Sequence, residues 1–491
     1  MTQPCTVSEP VTQSDSGPSN EPIRPHFSHT VTVLSALVLL LALGAMFWFS
    51  TAVPKLERFE EPDRALELMV SRTMEAQDGL RHAPLWQRWL TEWTAGSDEA
   101  ERAQAIQWYQ ELVQVTDRSG SQLRLAILQA ESGQVQEALK AAASWRLQDQ
   151  SVLLHAQLIE AAYGDEPLDQ TREIELQSAL AEALPSGWFY THLALRLAQR
   201  ADDQVLRSAV EQQGARRGDS LQQWSRALMV TELACLIVGS VMLLWIAWLK
   251  VQRRDALQWH VPGVPPPWPG GIGAAVLLRG GALGAVMTLA LLSFAPVEHV
   301  SLRALAIPLV NLPLLGLAYV HLLKPAGLNF WDGFGLQIAR TPLGRLAGMV
   351  LAVVAAGLWG EWVMGRAAES LGMTNHWTEW FDPDLVWAPP SVLAISLLEY
   401  IVFAPVFEEL AFRGLLYAIL RRRLSVVPAA LISASIFALA HGYGMIGFVS
   451  VLWSGLLWAW IYERTGSLLP GMIAHAINNL LVCLAVMALL R

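Results

Sequence analysis

The chain has 491 residues, 53% of them hydrophobic and 16% charged, where ordinary soluble domains carry roughly 25% charged residues. That balance excludes a simple cytosolic globular protein and points to the bilayer. The net charge of -9 comes largely from the polar N-terminal half, and no basic cluster with interleaved aromatics exists, which excludes nucleic acid as a partner. Cys5, Cys235 and Cys483 lie far apart, so neither a disulfide framework nor a cysteine metal cluster is available.

Residues 1–29, rich in Pro, Ser, Thr and Gln, read as a disordered cytoplasmic tail. The first apolar run, Val31 to Ala52, lacks a short basic segment before it, and Phe47, Trp48 and Phe49 follow its small residues. It therefore reads as an uncleaved transmembrane anchor, 30–53, rather than a signal peptide. The second run, Leu228 to Leu249, ends in Lys250, Arg253 and Arg254, which marks the cytoplasmic side. Residues 54–227 then lie on the opposite face as an extracytoplasmic domain.

That domain shows helical apolar periodicity, as in Leu123, Ile127 and Leu128, then Gly133, then Val135, Ala138 and Leu139. The stretch around Gly133 resembles one tetratricopeptide helix pair, and an irregular helical bundle is the alternative. Trp86, Trp89, Trp93 and Trp108 are expected in its core. A tetratricopeptide-like module would bind a protein or peptide partner in grooves between helix pairs.

Beyond a Pro-rich loop, 262–269, apolar runs recur near 272–294, 302–323 and 346–364. Lys324, Arg340 and Arg345 mark a cytoplasmic loop, while Glu369, Glu379, Asp382 and Asp384 fall in the next, external one. The last runs are 391–420, 426–441, 446–462 and 468–490, with Arg421, Arg422 and Arg423 cytoplasmic. The expected fold is all-α: a polytopic helical membrane protein of about nine transmembrane helices plus the extracytoplasmic helical domain. Residues 228–390 carry transmembrane helices and loops, and 391–491 form a separate core. The expected location is the cell, or inner, membrane.

Glu408, Glu409, Arg413, His441, His475, Asn478 and Asn479 interrupt these last apolar runs. An ionised side chain near the bilayer centre costs about 2.5 to 3.5 kcal/mol, so function is the default explanation. Glu409 and Arg413 are four apart and suit a supporting ion pair on one helix face. That leaves Glu408, about 100° round the helix, as a carboxylate poised for general-base work. His475 and Asn479, also four apart, share a face of the final helix, and Asn478 suits an ordinary interhelical hydrogen bond. Glu408 precedes Arg421 by thirteen residues, about 20 Å of helix, so an opening toward the cytoplasm is expected.

Taken in order, FEELAFRG (407–414), FALAH (437–441) and HAINN (475–479) resemble the three motifs of the CPBP family, which contains type II CAAX prenyl endopeptidases and bacteriocin-processing or immunity proteins. The resemblance covers about 391–490. It implies that Glu408 and His441 activate a water for attack on a peptide carbonyl, with His475 and Asn479 stabilising the oxyanion and Glu409 and Arg413 in support. A metal-free glutamate mechanism is the preferred implication. Zinc held by Glu408, His441 and His475 is the alternative, although no HExxH is present. The substrate would be a protein or peptide in the lipid bilayer. A non-enzymatic immunity or scaffolding protein is the competing function, and a transporter or proton relay ranks below it.

Overall fold

The computed structural model describes residues 27–52, 55–95, 98–116, 118–146, 150–252, 263–268, 271–294, 305–337 and 342–491. Most of the expected tail, with Arg253, Arg254 and Arg340, lies outside them. The described residues are mostly helical and contain no strand. Among the described residues, eight helices are long and apolar enough to cross a membrane: α1 (His29–Ala52), α10 (Gln204–Val251), α11 (Gly273–Phe294), α12 (Ala306–Ala326), α13 (Leu343–Ser370), α14 (Pro390–Arg421), α16 (Met445–Thr465) and α17 (Leu469–Leu490). The ninth apolar helix, α15 (Val426–Leu439), has 14 residues. At 1.5 Å per residue it spans only about 21 Å of a core about 30 Å thick.

Between α1 and α10 come α2 (Pro62–Leu80), α3 (Leu85–Ala95), α4 (Asp98–Val115), α5 (Ser119–Glu131), α6 (Val135–Trp145), α7 (Gln150–Tyr163), α8 (Gln170–Ala183) and α9 (Trp188–Arg200). The α5–α6 hairpin forms as its periodicity predicts, with Gly133 at φ +87° supplying the turn. Leu66, Met69, Tyr109, Leu123, Ile127, Leu158 and Leu193 are almost fully buried in one core. Asp203 caps α10 by accepting from the amides of Val205 and Leu206. From there α10 runs 48 residues without a break, far longer than the 18-residue apolar window that qualifies it as a candidate membrane span.

Three of the tryptophans expected in that core are not there: Trp93 packs instead against Trp362 of α13, with ring centroids 4.7 Å apart. Trp86 is 46% and Trp89 64% exposed, whereas Trp108 packs against the core. On the short helix α3, Trp89 stacks on Trp93, which meets Trp359 and Trp362 of α13, and amphipathic rings at such a boundary gain from the interface rather than from burial.

In the membrane, small residues set helix spacing. A Cβ on Gly239 of α10 would strike Leu351 O and Ala355 Cβ of α13, and Gly280 and Gly284 of α11 give the same close approach to Leu314 and Val310 of α12. This is the small-xxx-small mode of membrane packing, driven by contact rather than by hydrophobic transfer.

The bundle has two distinct ends. At one, the extramembrane helices dock on the 371–389 loop: Lys55 pairs with Glu379 at 2.8 Å, Gln104 donates to Asn375 O at 3.0 Å, and Trp377, Phe381 and Leu385 join the extramembrane core. Arg491 donates to Ala388 O at this end. At the other end, Arg279 covers the Phe27 ring at 4.4 Å, Arg422 donates to Trp268 O at 2.7 Å, and Arg421 pairs with Glu463 at 2.8 Å.

Candidate active site

The helix that carries FEELAFRG is not a regular α-helix. Its α-helical turn Ala404–Glu408 lies between two π-helical segments, Glu399–Phe403 and Glu409–Tyr417. A π turn widens the helix and releases carbonyls from their usual amide partners, and such turns recur at functional sites. Neighbouring helices meet two of these carbonyls. Asn479 of α17 donates Nδ2–H to Tyr400 O at 2.8 Å, and Ser433 of α15 donates its hydroxyl to Phe412 O at 3.0 Å. The 100° separation expected of Glu408 and Glu409 from a regular helix is thus replaced by a boundary between two helical forms.

Glu409 and Arg413 form the expected ion pair. Glu409 Oε1 lies 2.9 Å from Arg413 Nη1, with the side chains 1% and 0% exposed. The guanidinium stands over Phe437 at 4.2 Å and Trp458 at 5.0 Å, so aromatic faces compensate part of its lost hydration. Glycines leave the space: a Cβ on Gly455 would sit 2.8 Å from Arg413 Nη2, and one on Gly471 would sit 3.3 Å from Glu409 Oε2.

His475 lies between the two glutamates. Its Nδ1 is 3.4 Å from Glu409 Oε1 and its Nε2 is 3.8 Å from Glu408 Oε2, ion-pair distances that are long for hydrogen bonds. Trp458 fixes the ring by stacking at 3.9 Å with a 17° interplanar angle. Glu408, about 30% exposed at its side chain, keeps a buried Oε2 that has no hydrogen-bond partner. The structure therefore places Glu408, Glu409, Arg413 and His475 in one cluster.

His441 borders that cluster through Phe437, whose ring lies 4.7 Å from His441 and 6.1 Å from His475. Its Nδ1 is 2.8 Å from Phe437 O. A carbonyl only accepts, so Nδ1 carries the proton and Nε2 of a neutral ring keeps its lone pair. Gly442, at φ +67°, turns the chain immediately after it. This turn belongs to the end that bears the 55–227 helices, since Glu379 Oε1 would lie 2.6 Å from a Cβ on Gly444. The expectation of an opening toward Arg421–Arg423 therefore differs from the structure: α15 starts near those arginines and delivers His441 toward the opposite end.

Among the described residues, no three His, Cys, Asp or Glu side chains converge as a metal-ligating group. Glu408, His441 and His475 thus do not fit a preformed zinc site. Phe437, Trp458, Tyr400, Ser433, Gly455 and Gly471 were not singled out from the sequence. Only the small residues within apolar helices carried a signal, as markers of close approach.

Residues 390–481 match the family described as type II CAAX prenyl endopeptidase Rce1-like. No curated protein and no solved structure matches the chain.

Proposed function

We propose that this chain, whose residues 390–481 form a CPBP-family protease domain within a multi-pass membrane protein, is an intramembrane endopeptidase acting on membrane-associated protein or peptide substrates. The observation that carries the reading is the Glu408 carboxylate. It is the one member of the glutamate pair outside the Arg413 ion pair, and its Oε2 lacks a hydrogen-bond partner although buried.

In this reading Glu408 takes a proton from a water whose oxygen attacks the scissile carbonyl, then passes that proton to the leaving amine. His441, with its lone pair on Nε2, accepts from the same water and orients it. With a proton on Nε2, His475 donates to the carbonyl oxygen as negative charge develops there. The Asn479 amide N–H not engaged by Tyr400 adds a second donor. Glu409 and Arg413 position His475 and touch no substrate. No step passes through a metal.

We place residues 54–227 outside the cytoplasm and the Arg421–Arg423 end inside, in the cell membrane, because Lys250, Lys324, Arg345, Arg421, Arg422 and Arg423 share one end of the bundle. In that orientation the catalytic turn faces outward, and the extramembrane helices serve as a protein- or peptide-binding module above it.

The test compares new protein termini in membranes from cells carrying wild type or Glu408→Gln. Termini near transmembrane segments that vanish in the variant establish proteolysis and name the substrate. An unchanged terminus profile, with the variant inserted at normal levels, would overturn the enzymatic reading in favour of a binding protein.

A further inference from the structure

A cavity of about 540 Å³ opens at the seam where α2 and α3 meet the membrane helices α10, α13 and α17, on the far side of α13 and α17 from His475. Its wall includes two carboxylates, Glu232 on α10 and Glu361 on α13, and no lysine, arginine or histidine. Glu361 lies close enough to Glu232 to feel its charge, and the lining offers neither of them a basic side chain. Two neighbouring carboxyl groups on adjacent membrane helices, with no basic side chain in the cavity wall, suit a cation from outside the chain.

The remaining walls specify what kind. Trp93, Trp359 and Trp362 line the cavity, with Trp93 and Trp362 rings 4.7 Å apart and Trp359 edge-on to Trp362 at 5.8 Å. Indole faces attract organic ammonium groups, and tryptophan marks the headgroup level of a bilayer. Deeper in the membrane, Leu233, Leu236 and Leu358 give an apolar wall. An adjoining cavity of about 430 Å³ shares Thr94 and Leu489 with the first and brings Arg366 beside the same entrance.

We propose that this seam binds an aminophospholipid, with its ammonium between Glu232 and Glu361, its phosphate toward Arg366 and its acyl chains along Leu233 and Leu236. The site ties the extramembrane helices to the bundle through lipid, and it is independent of the proteolytic reading.

The full chain, purified in detergent, is titrated with dioleoylphosphatidylethanolamine or dioleoylphosphatidylglycerol, and bound lipid is counted by native mass spectrometry. Wild type is expected to retain the ethanolamine lipid in preference to the glycerol lipid. The near-isosteric E232Q/E361Q protein is expected to lose about tenfold in ethanolamine-lipid affinity, about 1.4 kcal/mol, with the glycerol lipid unchanged. Ala488→Phe fills the cavity and leaves both charges, and it is expected to lower retention as well, so the proposal stays testable if the double variant misfolds. Equal retention of the two lipids by wild type, or undiminished ethanolamine-lipid binding in a folded variant of either kind, would overturn the proposal.

Discussion

Replacing Arg413 by methionine removes one half of an ion pair whose side chains are 0% and 1% exposed. The partner carboxylate is then left buried beside only the His475 ring, whose Nδ1 is 3.4 Å away. Breaking a buried pair from one side costs about 3 to 5 kcal/mol, and loss of the guanidinium over Phe437 and Trp458 places this site toward the upper part of that range. Removing both charges, as in E409L/R413M, eliminates the orphan, and the double variant should recover most of the loss. The coupling between the two sites should then be about 3 kcal/mol, far above the ~0.5 kcal/mol scatter of independent sites. Equilibrium unfolding of the purified chain in mixed micelles titrated with sodium dodecyl sulfate measures all four corners of the cycle. A loss below about 1 kcal/mol for Arg413→Met, or additive single-variant losses, would refute the claim that this pair is desolvated and mutually dependent.

Other outcomes follow from particular contacts. In the 55–227 region, burial opposes ionisation of His192, but Asp78 at 2.9 Å and Glu131 at 3.3 Å raise its pKa above 6.5. Burial likewise opposes the charge on Glu131, yet His192 and Arg196 hold its pKa at about 2, and Asp78 is held below 3.8. The His192 contribution is complete below its ordinary value and fades as pH rises through the raised one. The carboxylate contributions are complete above their ordinary values and fade as pH falls toward about 2. Protection of the α9 amides, measured relative to the intrinsic exchange rate at each pH, should therefore be greatest between about pH 4.5 and 6.5, and His192→Gln should remove the fall in protection on the alkaline side. Gly239→Val should cost about 1 to 3 kcal/mol through overpacking against α13, read by the same detergent titration, and a neutral result would mean that α10 and α13 do not approach as described. Glu379→Gln breaks the Lys55 pair, which is partly exposed at 38% and 14%. It should change stability by less than about 1 kcal/mol while exposing the 371–389 loop to added protease.

The sequence was sufficient to pick out the helices of the candidate site because charge inside an apolar run is conspicuous against its surroundings. The FEELAFRG, FALAH and HAINN segments led to Glu408, His441 and His475, and i,i+4 spacing identified the Glu409–Arg413 pair. Two kinds of information were not legible. Spacing arguments assume 3.6 residues per turn, and nothing in EYIVF or ELAFRGLLY announces a π-helix, which depends on Asn479 and Ser433 arriving from other helices. Trp458 is one of three tryptophans in the apolar stretch 453–460. Periodicity cannot say which of them faces lipid and which stacks on His475. The same ambiguity sent Trp86 and Trp89 to a core they do not enter.

Gly455 and Gly471 are the negative image of the buried pair, each shaped to an atom of Arg413 or Glu409. An evolving lineage that lost one charge would inherit an orphan, and one that lost both would inherit two unfilled hollows. A return to an ordinary apolar core needs coordinated change at four positions, while any single step is penalised. Such a quartet acts as a ratchet: once assembled, it should persist in descendants of this chain even where Glu408 has been lost.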